Sequence, residues 1–136
     1  MSQENVQIVR AQWEQFARGD FSAWADLPDD FEFVTSPEVP DAGTYRGAAA
    51  IEWMTAWVES FEGHTMRATE ISDCGDRVLV AFLQRGRPRG SHTAVERRSW
   101  CVVTLREVEF ARVAVFPERA QALEAVGLRE RRVEFR

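Results

Sequence analysis

Two patterns in the sequence predict a single α+β domain. In the first part of the 136 residues, apolar side chains recur at the spacing of amphipathic helices, and from His64 onward the pattern changes to one strand after another. A chain of this length can bury one sizeable hydrophobic core. Helices followed by hairpin-linked strands are typical of an α+β fold with the helices packed on one face of the sheet.

The start of the chain predicts a long helix and a short helical turn. Over residues 2–18, four apolar side chains lie at steps of three and four with polar residues between them: Val6, Val9, Trp13 and Phe16. Gly19 ends this helix. Asp20 caps the helical turn, which ends at Pro28.

A strand, a loop and another helix are predicted next. Residues 29–35 alternate as a strand does, and residues 36–47 contain two Pro and two Gly and are predicted as a long loop. The helix predicted over residues 48–61 is apolar over more than half of its circumference. We therefore expect this helix to be covered from two directions.

The second half of the chain predicts an antiparallel meander of four strands. Breaks short enough for hairpin turns separate the apolar runs, which cover residues 66–71, 77–85, 92–106 and 110–116. A last helix is predicted to start with Pro117 in its first position and to end at Gly127. A strongly twisted sheet wrapped around amphipathic helices encloses a cone, and the wide end of a cone is a cavity.

We assign residues 1–128 to one domain and residues 129–136 to a C-terminal tail. The tail alternates Arg and Glu and is predicted as a loose segment or a short edge strand. Cys74 and Cys101 lack metal-ligand spacing and are predicted to be two reduced thiols. No metal site and no cofactor are expected, because the sequence has no phosphate-binding loop and no cluster of metal ligands.

Charge and targeting signals narrow the expected partners and compartment. The net charge is −5, and all 17 basic residues are scattered Arg, which excludes the basic surface of a nucleic-acid-binding protein. The sequence contains no signal peptide and no apolar run long enough for a membrane span. We therefore expect a cytoplasmic protein that binds neither nucleic acid nor membrane.

The aromatic content indicates a binding pocket or a ring-filled core. The chain has five Trp and nine Phe but one Tyr, and the candidates for contact with a flat, apolar ligand are Trp13, Phe16, Trp53, Trp57 and Trp100. The alternative for each of these residues is ordinary core packing. Tyr45 precedes the helix of residues 48–61 and is a candidate gate or hydrogen-bond donor, with packing as its alternative.

One row of side chains on the long strand contains the candidate catalytic residues. Strand alternation places His92, Glu96, Arg98 and Trp100 on the same face. If that face lines the cavity, Glu96 is a candidate general base, Arg98 a candidate for holding an oxyanion, and His92 a candidate proton shuttle. The alternative is that the row faces solvent or a partner, with Glu96 and Arg98 in ordinary ion pairs. His64 is predicted instead to lie at the end of a helix and the start of a strand, where the helix C-terminal dipole stabilises an imidazolium.

Four segments in this order resemble the SnoaL-like family of the nuclear transport factor 2-like superfamily. They are Phe16-Ala17-Arg18-Gly19-Asp20-Phe21, Tyr45-Arg46-Gly47-Ala48-Ala49-Ala50-Ile51, Val95-Glu96-Arg97-Arg98-Ser99-Trp100, and the segment from Glu118 to Leu128. The resemblance implies a cone-shaped α+β barrel with about three to four helices packed on a strongly curved antiparallel sheet. It also implies a pocket between helices and sheet, and a homodimer formed through the outer sheet face.

The residues that relatives use for catalysis are mostly missing. Ketosteroid isomerases of this fold use a Tyr and an Asp where this chain has Gln12 or Trp13 and Thr35 or Ser36, and the related epoxide hydrolases and cyclases need a late Asp, but none follows Asp76. Scytalone dehydratase-like enzymes use two cavity histidines, and this chain has His64 and His92. Relatives usually have Asp-Gly in the last hairpin, where this chain has Glu107-Val108-Glu109; because Val resists positive φ, we expect a different turn.

The sequence therefore predicts a SnoaL-like domain that binds a small, largely apolar metabolite in an aromatic-lined pocket. Cofactor-independent proton transfer of the isomerase, cyclase or dehydratase type is the chemistry that such a pocket suits. The alternative is a non-catalytic homodimeric ligand-binding or interaction domain. The two hypotheses differ in whether the Glu96 face lines a cavity.

Overall fold

The computed structural model describes residues 2–127, which form three α-helices and six strands. The helices are α1 (Ser2–Ala17), α2 (Ala48–Glu59) and α3 (Arg119–Ala125). The strands are β1 (Glu32–Val34), β2 (Thr44–Arg46), β3 (Phe61–Cys74), β4 (Arg77–Pro88), β5 (Val95–Arg106) and β6 (Glu109–Phe116). The predicted tail, residues 129–136, lies outside the described residues.

The sheet is mixed and open, with the strand order β2-β1-β6-β5-β4-β3. The predicted meander is confirmed, because β3, β4, β5 and β6 pair antiparallel with their neighbours. Strand β1 instead runs parallel to β6, with Phe33 opposite Val113. Strand β2 lies inside the segment predicted as a loop and pairs antiparallel with β1. Within the described residues the sheet is therefore mixed and not wholly antiparallel, and it does not close into the barrel that the family resemblance implied.

Helix α1 covers the inner face of the sheet, which we define as the face that α1 and α2 pack against. The predicted stripe is buried there, with Val9, Trp13 and Phe16 at most 6% exposed. They pack against Val80 and Phe82 of β4 in one cluster. The helix ends where predicted, because Gly19 has a φ of 80°, a left-handed conformation that Gly adopts without a steric penalty.

Helix α2 packs against the other half of the inner face. Its buried residues Ala50 and Met54 form a cluster with Phe31 and Phe33. Gly47, the residue before α2, has a φ of 59°, and a Cβ there would lie 2.4 Å from the carbonyl oxygen of Asp29. Only Gly fits this close approach, which fixes the start of α2 beside the entry to β1.

Helix α3 lies on the opposite, outer face of the sheet, so the prediction that the helices pack on one face is wrong. Ala122, Leu123 and Val126 form a cluster with Leu79 of β4 and Val102 of β5. These two strand residues alternate with the inner-face residues of the same strands. Glu118 is the N-cap of α3, so Pro117 lies before the helix, and the prediction that it occupies the first helical position is wrong. Gly127 follows α3 with a φ of 81°, the left-handed conformation expected of a Gly that ends a helix.

Two further local predictions are wrong. Helix α2 ends at Glu59 and β3 begins at Phe61, so His64 lies near the start of a strand, as predicted, but beyond the helix C-terminus that it was predicted to cap. The last hairpin has φ values of 53° at Glu107 and 62° at Val108, which are the left-handed conformations expected to be avoided there. A two-residue connection between strands with a right-handed twist favours positive φ at both central residues, and this requirement outweighs the steric preference of Val.

Within residues 2–127, no helix has the combination of length and apolar character needed to cross a membrane.

Candidate functional site

A cavity of about 90 Å³ lies between the inner face of the sheet and helices α1 and α2. One buried water needs roughly 10–15 Å³ by the same kind of measure, so the cavity has space for a group of several heavy atoms. Four tryptophans line it: Trp13, Trp24, Trp53 and Trp57. Five phenylalanines also line it: Phe16, Phe31, Phe33, Phe82 and Phe110.

The aromatic walls follow from the spacing of rings on the two helices. On α1, Trp13 and Phe16 are three residues apart, and their ring centroids are 5.0 Å apart in an edge-to-face arrangement. On α2, Trp53 and Trp57 are one turn apart, and their rings stack at 5.8 Å with 7° between the planes. The Trp13 ring also contacts Phe82 of β4, with a centroid distance of 4.7 Å. Flat walls of this kind are complementary to another ring.

The described lining of the cavity has five polar residues: Gln12, Ser36, Gln84, Arg97 and Ser99. Three of them, Gln84, Arg97 and Ser99, lie on the neighbouring strands β4 and β5, and we call these three the polar end of the cavity. Gln84 of β4 is directly opposite Arg97 of β5 in the antiparallel register. Ser99 follows two residues after Arg97 and therefore lies on the same face. Ser99 is 3% exposed, and its hydroxyl oxygen is 3.5 Å from the Gln84 side-chain nitrogen. No carboxylate lines this cavity among the residues that the structure describes.

The Gln84 amide has one orientation that satisfies its neighbours. The indole Nε1 of Trp57 lies 3.0 Å from the Gln84 Oε1, and an indole nitrogen only donates, so this atom must be the carbonyl oxygen. The Nε2 of His64 lies 3.3 Å from the same oxygen and must carry a proton to bond to it. The amide NH₂ group of Gln84 therefore points toward Ser99.

His64 does not line the cavity, but it contacts the Gln84 carbonyl oxygen that orients the amide. Its ring stacks between Phe61 and Phe21, at centroid distances of 5.0 and 5.8 Å, and the residue is 6% exposed. Burial lowers the pKa of the imidazole below its ordinary value of 6.5, partly offset by the hydrogen bond to Gln84. With the proton on Nε2, the buried Nδ1 is unprotonated and can only accept a hydrogen bond, and it has no partner within the described part of the chain.

A loop closes over the rim beside Arg97. Residues 35–43 join β1 to β2, and Thr35 binds Gly43 through two hydrogen bonds of 2.9 Å that hold the ends of the loop together. Val39 of this loop lines the cavity. The adjacent Glu38 carboxylate forms an ion pair with the Arg97 guanidinium, and the two side chains are 53% and 43% exposed. The sole charged group of the described lining is thus partnered at the rim.

Cys101 contributes a neutral thiol to the wall. It lines the cavity, is 1% exposed, and burial raises its pKa far above the ordinary value. A thiol with a raised pKa stays protonated near neutral pH, so it offers neither a thiolate nucleophile nor a negative charge. Cys74 is also free, as predicted.

No family model matches this sequence, and no curated protein matches it. Solved structures do match. A nuclear transport factor 2-like protein from Burkholderia thailandensis E264 is 24% identical, with 90% of this chain and 96% of that chain covered and a TM-score of 0.72. A protein from Jannaschia sp. CCS1 that carries the provisional name SnoaL-like polyketide cyclase is 16% identical, with 91% and 92% covered and a TM-score of 0.64. The chain has the nuclear transport factor 2-like fold.

A third similar structure is TerC, crystallised with polyporic acid. It is 19% identical to this chain, with 91% of this chain and 98% of that chain covered and a TM-score of 0.69. Together these matches confirm the predicted cone-like α+β architecture and the resemblance to SnoaL-like proteins.

Four of the predicted ligand-contact residues line the cavity: Trp13, Phe16, Trp53 and Trp57. Their contact with a ligand stays a prediction. Tyr45 does not belong to the lining; its hydroxyl donates a 2.6 Å hydrogen bond to the carbonyl oxygen of Asp41, and its ring packs 6.0 Å from that of Trp53. The packing alternative considered for Tyr45 agrees with this position.

The Glu96 row faces away from the cavity, which is the second of the two alternatives considered for it. Because Arg97, Ser99 and Cys101 point inward, Glu96, Arg98 and Trp100 must point outward. Glu96 and Arg98 are exposed, and Trp100 packs against the outer-face cluster beneath α3. His92 lies in the exposed connection between β4 and β5. The structure therefore does not bring these candidate catalytic residues to the cavity.

Three polar residues that line the cavity were not predicted from the sequence: Gln84, Arg97 and Ser99. One feature of the sequence does indicate which row of β5 faces inward. The odd-numbered row of β5 continues into Cys101, Val103 and Leu105, which form an unbroken apolar stripe typical of a core-facing strand. The even-numbered row also contains Trp100 and Val102, because α3 covers the outer face, and this second apolar stripe hides the signal.

Proposed function

We propose that this protein binds a small, largely apolar molecule that contains a ring, in the cavity between α1, α2 and the inner sheet face. The observation that carries the proposal is the composition of the lining, in which nine aromatic side chains border about 90 Å³ of space. A concave, mostly apolar site with a few convergent polar groups is the usual form of a small-molecule site.

Two further observations support binding over acid–base catalysis. The cavity lining within residues 2–127 has no carboxylate, and its thiol has a raised pKa. The predicted base, Glu96, lies on the other face of β5, so proton transfer at Glu96, Arg98 and His92 gains no support from their positions. TerC was crystallised with polyporic acid, which makes the fold compatible with a small organic ligand.

The test is calorimetric titration of the protein with 2-naphthalenemethanol, a neutral two-ring probe. We expect saturable binding of one probe per chain. Val115 lines the cavity, and Val115→Phe fills part of it, so this variant should bind about tenfold more weakly, a loss of about 1.4 kcal/mol. The matched control is Val34→Phe, because Val34 alternates with the inward-facing Phe33 and lies on the outer face.

Circular dichroism and thermal melts establish that both variants fold. The proposal is contradicted if the wild-type protein takes up no probe, or if the folded Val115→Phe variant binds as tightly as the Val34→Phe control.

A further inference from the structure

We infer that the ligand is an aromatic carboxylic acid in its ionised form, and that Arg97 receives its carboxylate in exchange for Glu38. This inference rests on the proposed binding function and specifies its ligand class. Its starting point is the chemistry of the polar end of the cavity, where Gln84, Arg97 and Ser99 converge from two neighbouring strands.

The polar end of the cavity offers hydrogen-bond donors. The Gln84 carbonyl oxygen accepts from Trp57 and His64, so the amide turns its NH₂ group toward Ser99, and both Gln84 and Ser99 line the cavity. An amide NH₂ has two protons, and one remains for a ligand after the contact with Ser99. Arg97 adds a guanidinium, which has donors only. A group rich in acceptors, such as a carboxylate, matches this end better than an amine or an ammonium does.

The charge balance of the cavity also favours an anion. Arg97 is the one charged residue in the described lining, and its present partner, Glu38, is carried by the loop of residues 35–43 and not by the cavity wall. A ligand carboxylate that replaced Glu38 would keep the guanidinium paired. No negative charge of the described lining would repel that ligand.

The ion pair between Glu38 and Arg97 is weak enough to exchange. Both side chains are about half exposed, and ion pairs between exposed groups contribute little because water and salt screen them. A ligand has an additional gain, because its ring is buried among the cavity tryptophans when its carboxylate binds. The exposed carboxylate of Glu38 returns to water at small cost.

The arrangement assigns Glu38 the role of an internal competitor. Its backbone N–H is 3.3 Å from the Ser36 hydroxyl, and hydrogen bonds between Thr35 and Gly43 join the ends of the loop. Because none of these contacts uses the Glu38 carboxylate, we expect the loop to keep its conformation when that carboxylate leaves Arg97. Removal of the Glu38 charge should therefore strengthen binding of an acid. The same change should leave binding of a neutral ring unaffected.

The experiment compares 2-naphthoate with 2-naphthalenemethanol by calorimetric titration at pH 7.5. We expect the wild-type protein to bind the acid about tenfold more tightly than the alcohol, because a charge-assisted bond is stronger than a neutral one. Arg97→Gln should weaken binding of the acid much more than binding of the alcohol, and so abolish this preference. The matched control, Arg98→Gln, removes the adjacent guanidinium on the outer face and should keep the preference.

The variant Glu38→Gln tests the exchange step. It should bind 2-naphthoate several-fold more tightly than wild type, with no change for the alcohol. Equal affinities of the wild-type protein for acid and alcohol, or a preference that survives Arg97→Gln, would overturn the assignment of an acidic ligand while the binding function stands. Unchanged or weaker acid binding by Glu38→Gln would overturn the exchange. If neither probe binds the wild-type protein, the proposed function fails as well.

Discussion

The two faces of strand β5 present similar residue types in opposite settings. On the inner face, Arg97 and Ser99 border a cavity walled by aromatic rings. On the outer face, Glu96 and Arg98 are exposed to solvent, although together they have the composition of a catalytic pair. A shift of one residue along a strand reverses the face, so orientation decides which charges belong to a site.

The strongest test of this comparison truncates adjacent residues of β4. Phe82 is 3% exposed on the inner face and packs against Trp13, whereas Leu83 is half-buried on the outer face. Phe82→Ala should reduce the free energy of unfolding by about 3–5 kcal/mol, because a large buried ring leaves an unfilled space. Leu83→Ala should cost about 1 kcal/mol, since part of that side chain is already in water.

Urea denaturation of both variants measures the difference. Equal losses of stability would contradict the assignment of the main core to the inner face. They would indicate instead that the outer face is as deeply buried in solution.

A smaller effect distinguishes the two histidines. Burial lowers the pKa of His64 in the folded protein, so at pH values just below 6.5 the unfolded chain binds a proton that the folded chain does not. The free energy of unfolding should therefore fall as the pH falls from 7.5 through 6.5, and this loss should continue until the lowered folded pKa is reached. His64→Gln should make the dependence on pH shallower in this range.

The control for this prediction is His92→Gln, which changes an exposed imidazole in the β4–β5 connection. It should retain the pH dependence of the wild-type protein. Denaturation curves measured between pH 7.5 and 5.5 give the free energy of unfolding at each pH. If this free energy changes with pH equally in His64→Gln and in the wild-type protein, the assignment of a buried, neutral His64 is wrong.

Most of the fold was predictable because it depends on local patterns. The periodicity of Val9, Trp13 and Phe16 predicts α1 and the side of it that is buried, and Gly19 and Gly127 end helices as expected. The parallel pairing of β1 with β6 was not predictable. It joins Phe33 to Val113 across 80 residues, and no periodicity within either segment specifies that partner.

The candidate site was predictable in its aromatic part only. Trp53 and Trp57 stand out as large rings at helical spacing, and they do line the cavity. The face of β5 that points inward was not predictable, because α3 covers Trp100 and Val102 on the outer face. Both rows of the strand therefore contain apolar residues over half of their length. Alternation within β5 therefore identifies two candidate rows, and tertiary packing chooses between them.

The five tryptophans allow the most direct test of the central claim, that the ligand site is the inner cavity. Four of them line the cavity, and Trp100 lies on the outer face. In protein labelled with 5-fluorotryptophan and assigned with single Trp→Phe variants, titration with 2-naphthalenemethanol should shift the ¹⁹F resonances of Trp13, Trp24, Trp53 and Trp57. The Trp100 resonance should stay in place, and a shift confined to Trp100 would contradict the claim.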